Sequence, residues 1–112
     1  HAEFDEEEFC FVIKGTPDAW IDGWLHRLKA GEGVAFPDRT GIAHAFLNNT
    51  RERVLLIVVG EASRRRSKCT YPTEPTREAE IGDGLWTAAP KRRLGPHDGL
   101  PDALRVAGWK RA

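Results

Sequence analysis

A chain of 112 residues, 40% of them apolar, can bury a core of its own but is too short for two domains of ordinary size. Seventeen basic and seventeen acidic residues cancel to zero formal charge, so no overall attraction drives the chain to nucleic acid or to an anionic membrane surface. No apolar run reaches the ~18 residues of a membrane-spanning helix.

With only two cysteines, Cys10 in an apolar run reads as a buried thiol rather than half of a bridge, and a reducing, cytoplasmic setting is expected. No secretory leader is recognised. The opening on His1, without an initiator Met, leads to the expectation of a fragment of a longer protein.

In chain order, residues 9–14 (Phe-Cys-Phe-Val-Ile-Lys) combine aromatic and β-branched types and predict a strand, broken by Gly15, Pro17 and Asp18. Residues 19–21 and 24–28 flank Asp22-Gly23, a pair that favours a tight hairpin because both positions tolerate positive φ. Val34 to Phe36 predicts a short strand stopped by Pro37, residues 42–48 another, and 54–59 the most apolar one. Asn48-Asn49-Thr50 reads as the turn between the last two. Six short strands in about sixty residues predict an all-β sandwich or barrel. His26 is expected at the surface; Trp20 and Trp24 flank the hairpin turn and are candidates for cross-strand packing or a dimer surface.

Composition changes after Gly60. Five of the seven prolines follow it, spaced too closely for long regular elements. The chain therefore divides into a core at 1–61 and an extension at 62–112, read as ordered coil wrapped on the barrel or on a partner. Residues 63–68 form a basic run expected to be a solvated loop. Asp102 to Gly108 predicts one short helix, with Pro101 near its start and Gly108 at its end. Gly95-Pro96-His97-Asp98-Gly99 is expected to be a rigid turn that anchors the tail.

His1 and Glu3, two apart, face one side of an extended strand. The parity of the next strand puts Glu8, Cys10 and Val12 on one face, and His44 shares its face with Phe46 and Asn48. Two imidazoles and one or two carboxylates suit a divalent first-row metal if a curled sheet brings them together. Spacing alone leaves the other reading open, in which His44 is a satisfied core residue and the acidic residues at 3 and 5–8 a solvated turn.

The segment from His1 through Glu3 and Glu8 to Gly15 resembles the first cupin motif, and the segment from Gly31 through Pro37, Gly41 and His44 to Asn48 resembles the second. The likeness covers residues 1 to about 61. It implies a cupin-type antiparallel barrel (jelly roll), with His1, Glu8 and His44 at the positions of metal ligands and Glu3 where the family usually has a second histidine. It further implies a bound Mn, Fe, Ni or Zn ion, a small-molecule ligand or substrate, and homodimerisation at a sheet edge left open ahead of the first motif. Three functions stay open: a metal-dependent enzyme of dioxygenase, isomerase, lyase or decarboxylase type; a non-catalytic or metal-free cupin that binds a small ligand; and a dimeric interaction module.

Overall fold

The structure is a computed structural model that describes residues 1–61 and 67–111. The described residues form eight strands: β1 (Ala2–Glu3), β2 (Glu8–Lys14), β3 (Asp18–Ile21), β4 (Trp24–Arg27), β5 (Gly33–Phe36), β6 (His44–Leu47), β7 (Leu55–Gly60) and β8 (Cys69–Thr70). They pair antiparallel in three sheets, ordered β5-β2-β7, β4-β3-β6 and β1-β8. Two short helices follow, α1 (Pro75–Ile81) and α2 (Asp102–Val106). This is the antiparallel all-β architecture expected from the sequence. No helix among the described residues is long and apolar enough to cross a membrane.

Alternation along β2 sets the inside of the barrel. Cys10 and Val12 are fully buried, while Phe9 and Ile13 on the other face are exposed, as period-2 geometry requires. Trp20, Ala43, Leu47 and Ala2 form a core cluster at the second sheet. The hairpin turn closes as predicted: Asp22 and Gly23 have φ of 47° and 89°, and Ile21 pairs Trp24 across it. Asn48 Oδ1 accepts a 3.0 Å hydrogen bond from Thr50 N–H, the local bond that makes Asn-Asn-Thr a turn.

The extension holds more regular structure than the prolines suggested. Helix α1 was not anticipated; it places Pro75 in its first turn, where the missing N–H costs nothing. Strand β8 was also missed, because two residues carry no periodicity. Helix α2 falls where the sequence put one, and Gly108 beyond it has φ of 89°. Of the basic run, residues 63–66 lie outside the described residues.

The extension is tied to the barrel by specific contacts. β8 pairs β1, with Ala2 opposite Thr70. Trp86 is buried edge-on to Phe4, ring centroids 5.5 Å apart. Trp20 Nε1–H donates to His97 O at 2.6 Å, and Gly95 N–H donates to Asp22 O at 2.6 Å. Gly23 and Gly95 lie back to back: a Cβ on Gly23 would sit 2.4 Å from Gly95 N. Trp20 and Trp24 do not pair. Trp20 is core, and Trp24, 58% exposed, lies over Gly95. The His97-Asp98 loop is a turn: His97 Nδ1 accepts from Gly99 N–H, and Asp98 Oδ1 accepts from Leu100 N–H and pairs with Arg105.

Among the described residues, strand β7 pairs only with β2. Leu55, Ile57, Val58 and Val59 on it are each 48–58% exposed. It is a long apolar edge of the kind that soluble sheets normally cover.

Candidate functional site

The four residues singled out from the sequence come together as two pairs. His1 Nε2 lies 3.0 Å from Glu3 Oε1, and His44 Nε2 lies 3.0 Å from Glu8 Oε1. The two imidazole centroids are 5.8 Å apart. The backbone makes this possible: His44 N–H donates to His1 O at 3.1 Å, and the amino terminus of His1 donates to His44 O at 3.2 Å. The β1 segment is thereby stitched to β6, and Glu8 reaches the same place from the start of β2.

The two pairs differ in charge. The hydrogen bond to Glu3 raises the pKa of His1 above the ordinary imidazole value, and the same bond lowers that of Glu3. Both shifts favour the charged forms of the two partners, and Glu3 Oε2 also accepts from Ser67 Oγ–H at 3.2 Å. His44 goes the other way. It is 7% exposed, and burial outweighs Glu8 and lowers its pKa. A neutral His44 donates Nε2–H to Glu8 and leaves Nδ1 as a buried lone pair without a hydrogen-bond partner among the described residues.

Neighbours fix the rings. Phe36 stacks flat on His44, centroids 3.5 Å apart and planes 3° apart. Tyr71 from the extension meets His1 edge-on at 5.4 Å. Cys10, below Glu8, donates to its Oε1 at 3.5 Å, and burial pushes this thiol up to about 12, so it is inert as a nucleophile at neutral pH. His44 and Glu8 line two different cavities. One of about 50 Å³ is lined by His1, His44, Tyr71, Glu74 and Arg111. The other, about 300 Å³, is lined by Glu7, Glu8, Phe36 and Val59. Sequence reading missed Phe36, Tyr71 and Arg111: ring stacking leaves no motif, and the last two lie on the extension.

The donor types, two imidazoles and two carboxylates, are those a divalent first-row ion accepts. Their arrangement is different. Each imidazole is turned onto a carboxylate, and no three His, Cys, Asp or Glu side chains among the described residues form a group that could hold an ion.

Comparison with known proteins agrees with the fold. The cupin domain family profile matches residues 1–60, more than half of the chain. The chain belongs to the cupin family. Among curated proteins nothing matches it. A solved structure from Acidithiobacillus ferrooxidans, provisionally assigned as a sugar phosphate isomerase, resembles this cupin with a TM-score of 0.50 and 25% identity over 53% of the present chain. The match spans 37% of that protein, so the two share a part and not a whole architecture.

Proposed function

We propose that this cupin acts on a small organic molecule at the His44–Glu8 pair, as a proton-transfer catalyst of isomerase type. The observation that carries the reading is the 3.0 Å contact between the buried imidazole of His44 and the carboxylate of Glu8, a residue that borders the 300 Å³ cavity. The bond occupies Glu8 Oε1, while Oε2 takes no hydrogen bond from any described residue. Glu8 then works as base. It takes a proton from the hydroxyl-bearing carbon beside a carbonyl and returns it to the former carbonyl carbon, while the hydroxyl proton passes to the former carbonyl oxygen, so the substrate is isomerised with no external oxidant. His44, held flat by Phe36, orients the carboxylate. Glu7 beside Glu8 makes the cavity acidic, which favours an uncharged hydroxycarbonyl compound over a phosphate ester. The likeness to the Acidithiobacillus protein supports isomerase chemistry, and the acidic lining argues for a different substrate.

A second reading rests on the donor set. His1, Glu3, Glu8 and His44 would hold a divalent Mn, Fe, Ni or Zn ion once the two hydrogen bonds are given up. The ion would supply Lewis acidity to a bound oxygen.

Deuterium uptake by dihydroxyacetone in heavy water tests both. Protein stripped with chelator should catalyse uptake, and Glu8→Gln should lose about 100-fold or more. Activity that returns only on adding a metal supports the second reading. No uptake under either condition, or uptake undiminished in Glu8→Gln, defeats the proposal.

A further inference from the structure

Along the described extension the last buried residue is Leu100. Beyond it residues 102–110 are all exposed, Val106 to 90% and Trp109 to 63%. Helix α2 has five residues and buries none of them, and a helix of that length is not stable on its own hydrogen bonds. Apolar burial therefore does not fix this segment.

A short set of polar contacts fixes it instead. Asp102 N–H donates to Asn49 Oδ1 at 2.9 Å. Arg105 donates from Nη2 to Asp98 Oδ1 at 2.7 Å and to Leu100 O at 3.1 Å, both within the extension. Arg111 holds the far end: its Nε–H donates to Asp98 O at 3.1 Å, and Nη1 pairs with Glu74. Both partners of that pair are partly exposed, and such contacts are individually weak. A segment with few buried contacts and solvent-exposed hydrogen bonds opens locally while the rest stays folded.

Arg111 sits where opening has a consequence. With Tyr71 and Glu74 it walls the cavity of about 50 Å³ that His1 and His44 line from the barrel side. A space of that size admits water and nothing much larger.

We propose that residues 102–111 are a detachable strap, with Arg111 as the latch that closes off the imidazoles of His1 and His44 on the side of Tyr71. Release of the strap withdraws the guanidinium from the cavity wall and admits a small molecule to His44. The proposal rests on the contacts of the strap and is independent of the reaction assigned to the His44–Glu8 pair.

Acylation by diethyl pyrocarbonate, located by peptide mass spectrometry, tests it. His26, exposed on β4, gives a reference rate within the same molecule. Arg111→Ala should raise the rate at His44 relative to His26 by about tenfold, the population shift expected on losing a hydrogen-bonded charge. Glu74→Gln, which leaves the bond to Asp98, should raise it less, and Lys110→Ala should leave it unchanged. Hydrogen exchange separates release of the strap from loss of the fold. Peptides holding Ala107 and Trp109, whose N–H groups bond only within the strap, should exchange faster in Arg111→Ala, while those holding Cys10 and Trp20 keep wild-type protection. In wild type itself the strap peptides should already exchange about tenfold faster than the Trp20 peptide. An unchanged His44 rate in Arg111→Ala overturns the proposal, as does strap exchange as slow as that at Trp20 in wild type. A His44 rate that rises only together with exchange at Trp20 overturns it too.

Discussion

The ring of His44 lies parallel to that of Phe36 at 3.5 Å, and this contact holds the imidazole whose Nε2 meets Glu8. Phe36 is itself buried. Phe36→Ala should therefore cost about 3 kcal/mol of stability and free His44 to turn. Phe36→Tyr should keep both the stack and any activity that depends on the pair. Thermal denaturation of the two variants beside wild type, with the deuterium uptake assay, separates packing from orientation.

Metal titration gives a second check on the same residues. If the donor set takes an ion, His44→Ala should remove most of the affinity while sparing the fold. Glu3→His should tighten Zn or Ni binding more than Mn binding, since imidazole is the softer donor. Equal binding by wild type and His44→Ala, under identical buffer, would mean that the residues act as hydrogen-bonded pairs only.

Acid stability should depend on Asp18. This buried carboxylate accepts from Arg27 Nε–H and Nη2–H and from Asn49 Nδ2–H. The hydrogen bond from Arg27 lowers its pKa against the opposing effect of burial. A carboxyl whose folded pKa lies below its unfolded value adds stability above the unfolded value, near 3.9. That contribution is lost as pH falls through the folded value. Asp18→Asn should cost about 1–3 kcal/mol at neutral pH, and its midpoint of unfolding should fall less steeply than that of wild type between about pH 5 and pH 2.

The exposed edge at β7 leads to an expectation about assembly. Arg51 and Arg53 precede the strand, and Glu61 follows it beside Glu7, whose carbonyl accepts from Glu61 N–H. A second copy paired antiparallel about a two-fold axis would set the basic end of each strand against the acidic end of the other. It would also bury Leu55, Ile57, Val58 and Val59. We expect a homodimer by sedimentation, and Val58→Lys, which places a charge on the edge, should shift it to monomer. A wild-type monomer at high micromolar concentration would rule this interface out.

The barrel was legible because its signals are local. Alternation from Phe9 to Ile13 gave β2 its inside and outside, and Asp22-Gly23 gave the hairpin its turn. His1, Glu3, Glu8 and His44 could be grouped from parity and motif, yet their pairing could not. Whether an imidazole faces a metal position or a carboxylate depends on ring torsions and burial that spacing does not encode. The extension was legible at α2, where Pro101 and Gly108 mark the ends, and at the turn of residues 95–99. β8 and the buried Trp86 depend on contacts with β1 and Phe4, distant in sequence.

The back-to-back glycines at 23 and 95 carry a consequence for what counts as a unit. The cupin domain match ends at residue 60, but the hairpin turn has room for the tail only because neither residue has a side chain. β1 likewise finds its strand partner in β8. A cut after Gly60 would thus not release a finished barrel. It would expose Trp20, strip Asp22 of Arg92 and leave β1 without a mate. Two halves expressed as separate chains should behave as complementary fragments, each poorly folded alone and recovering native tryptophan fluorescence when mixed.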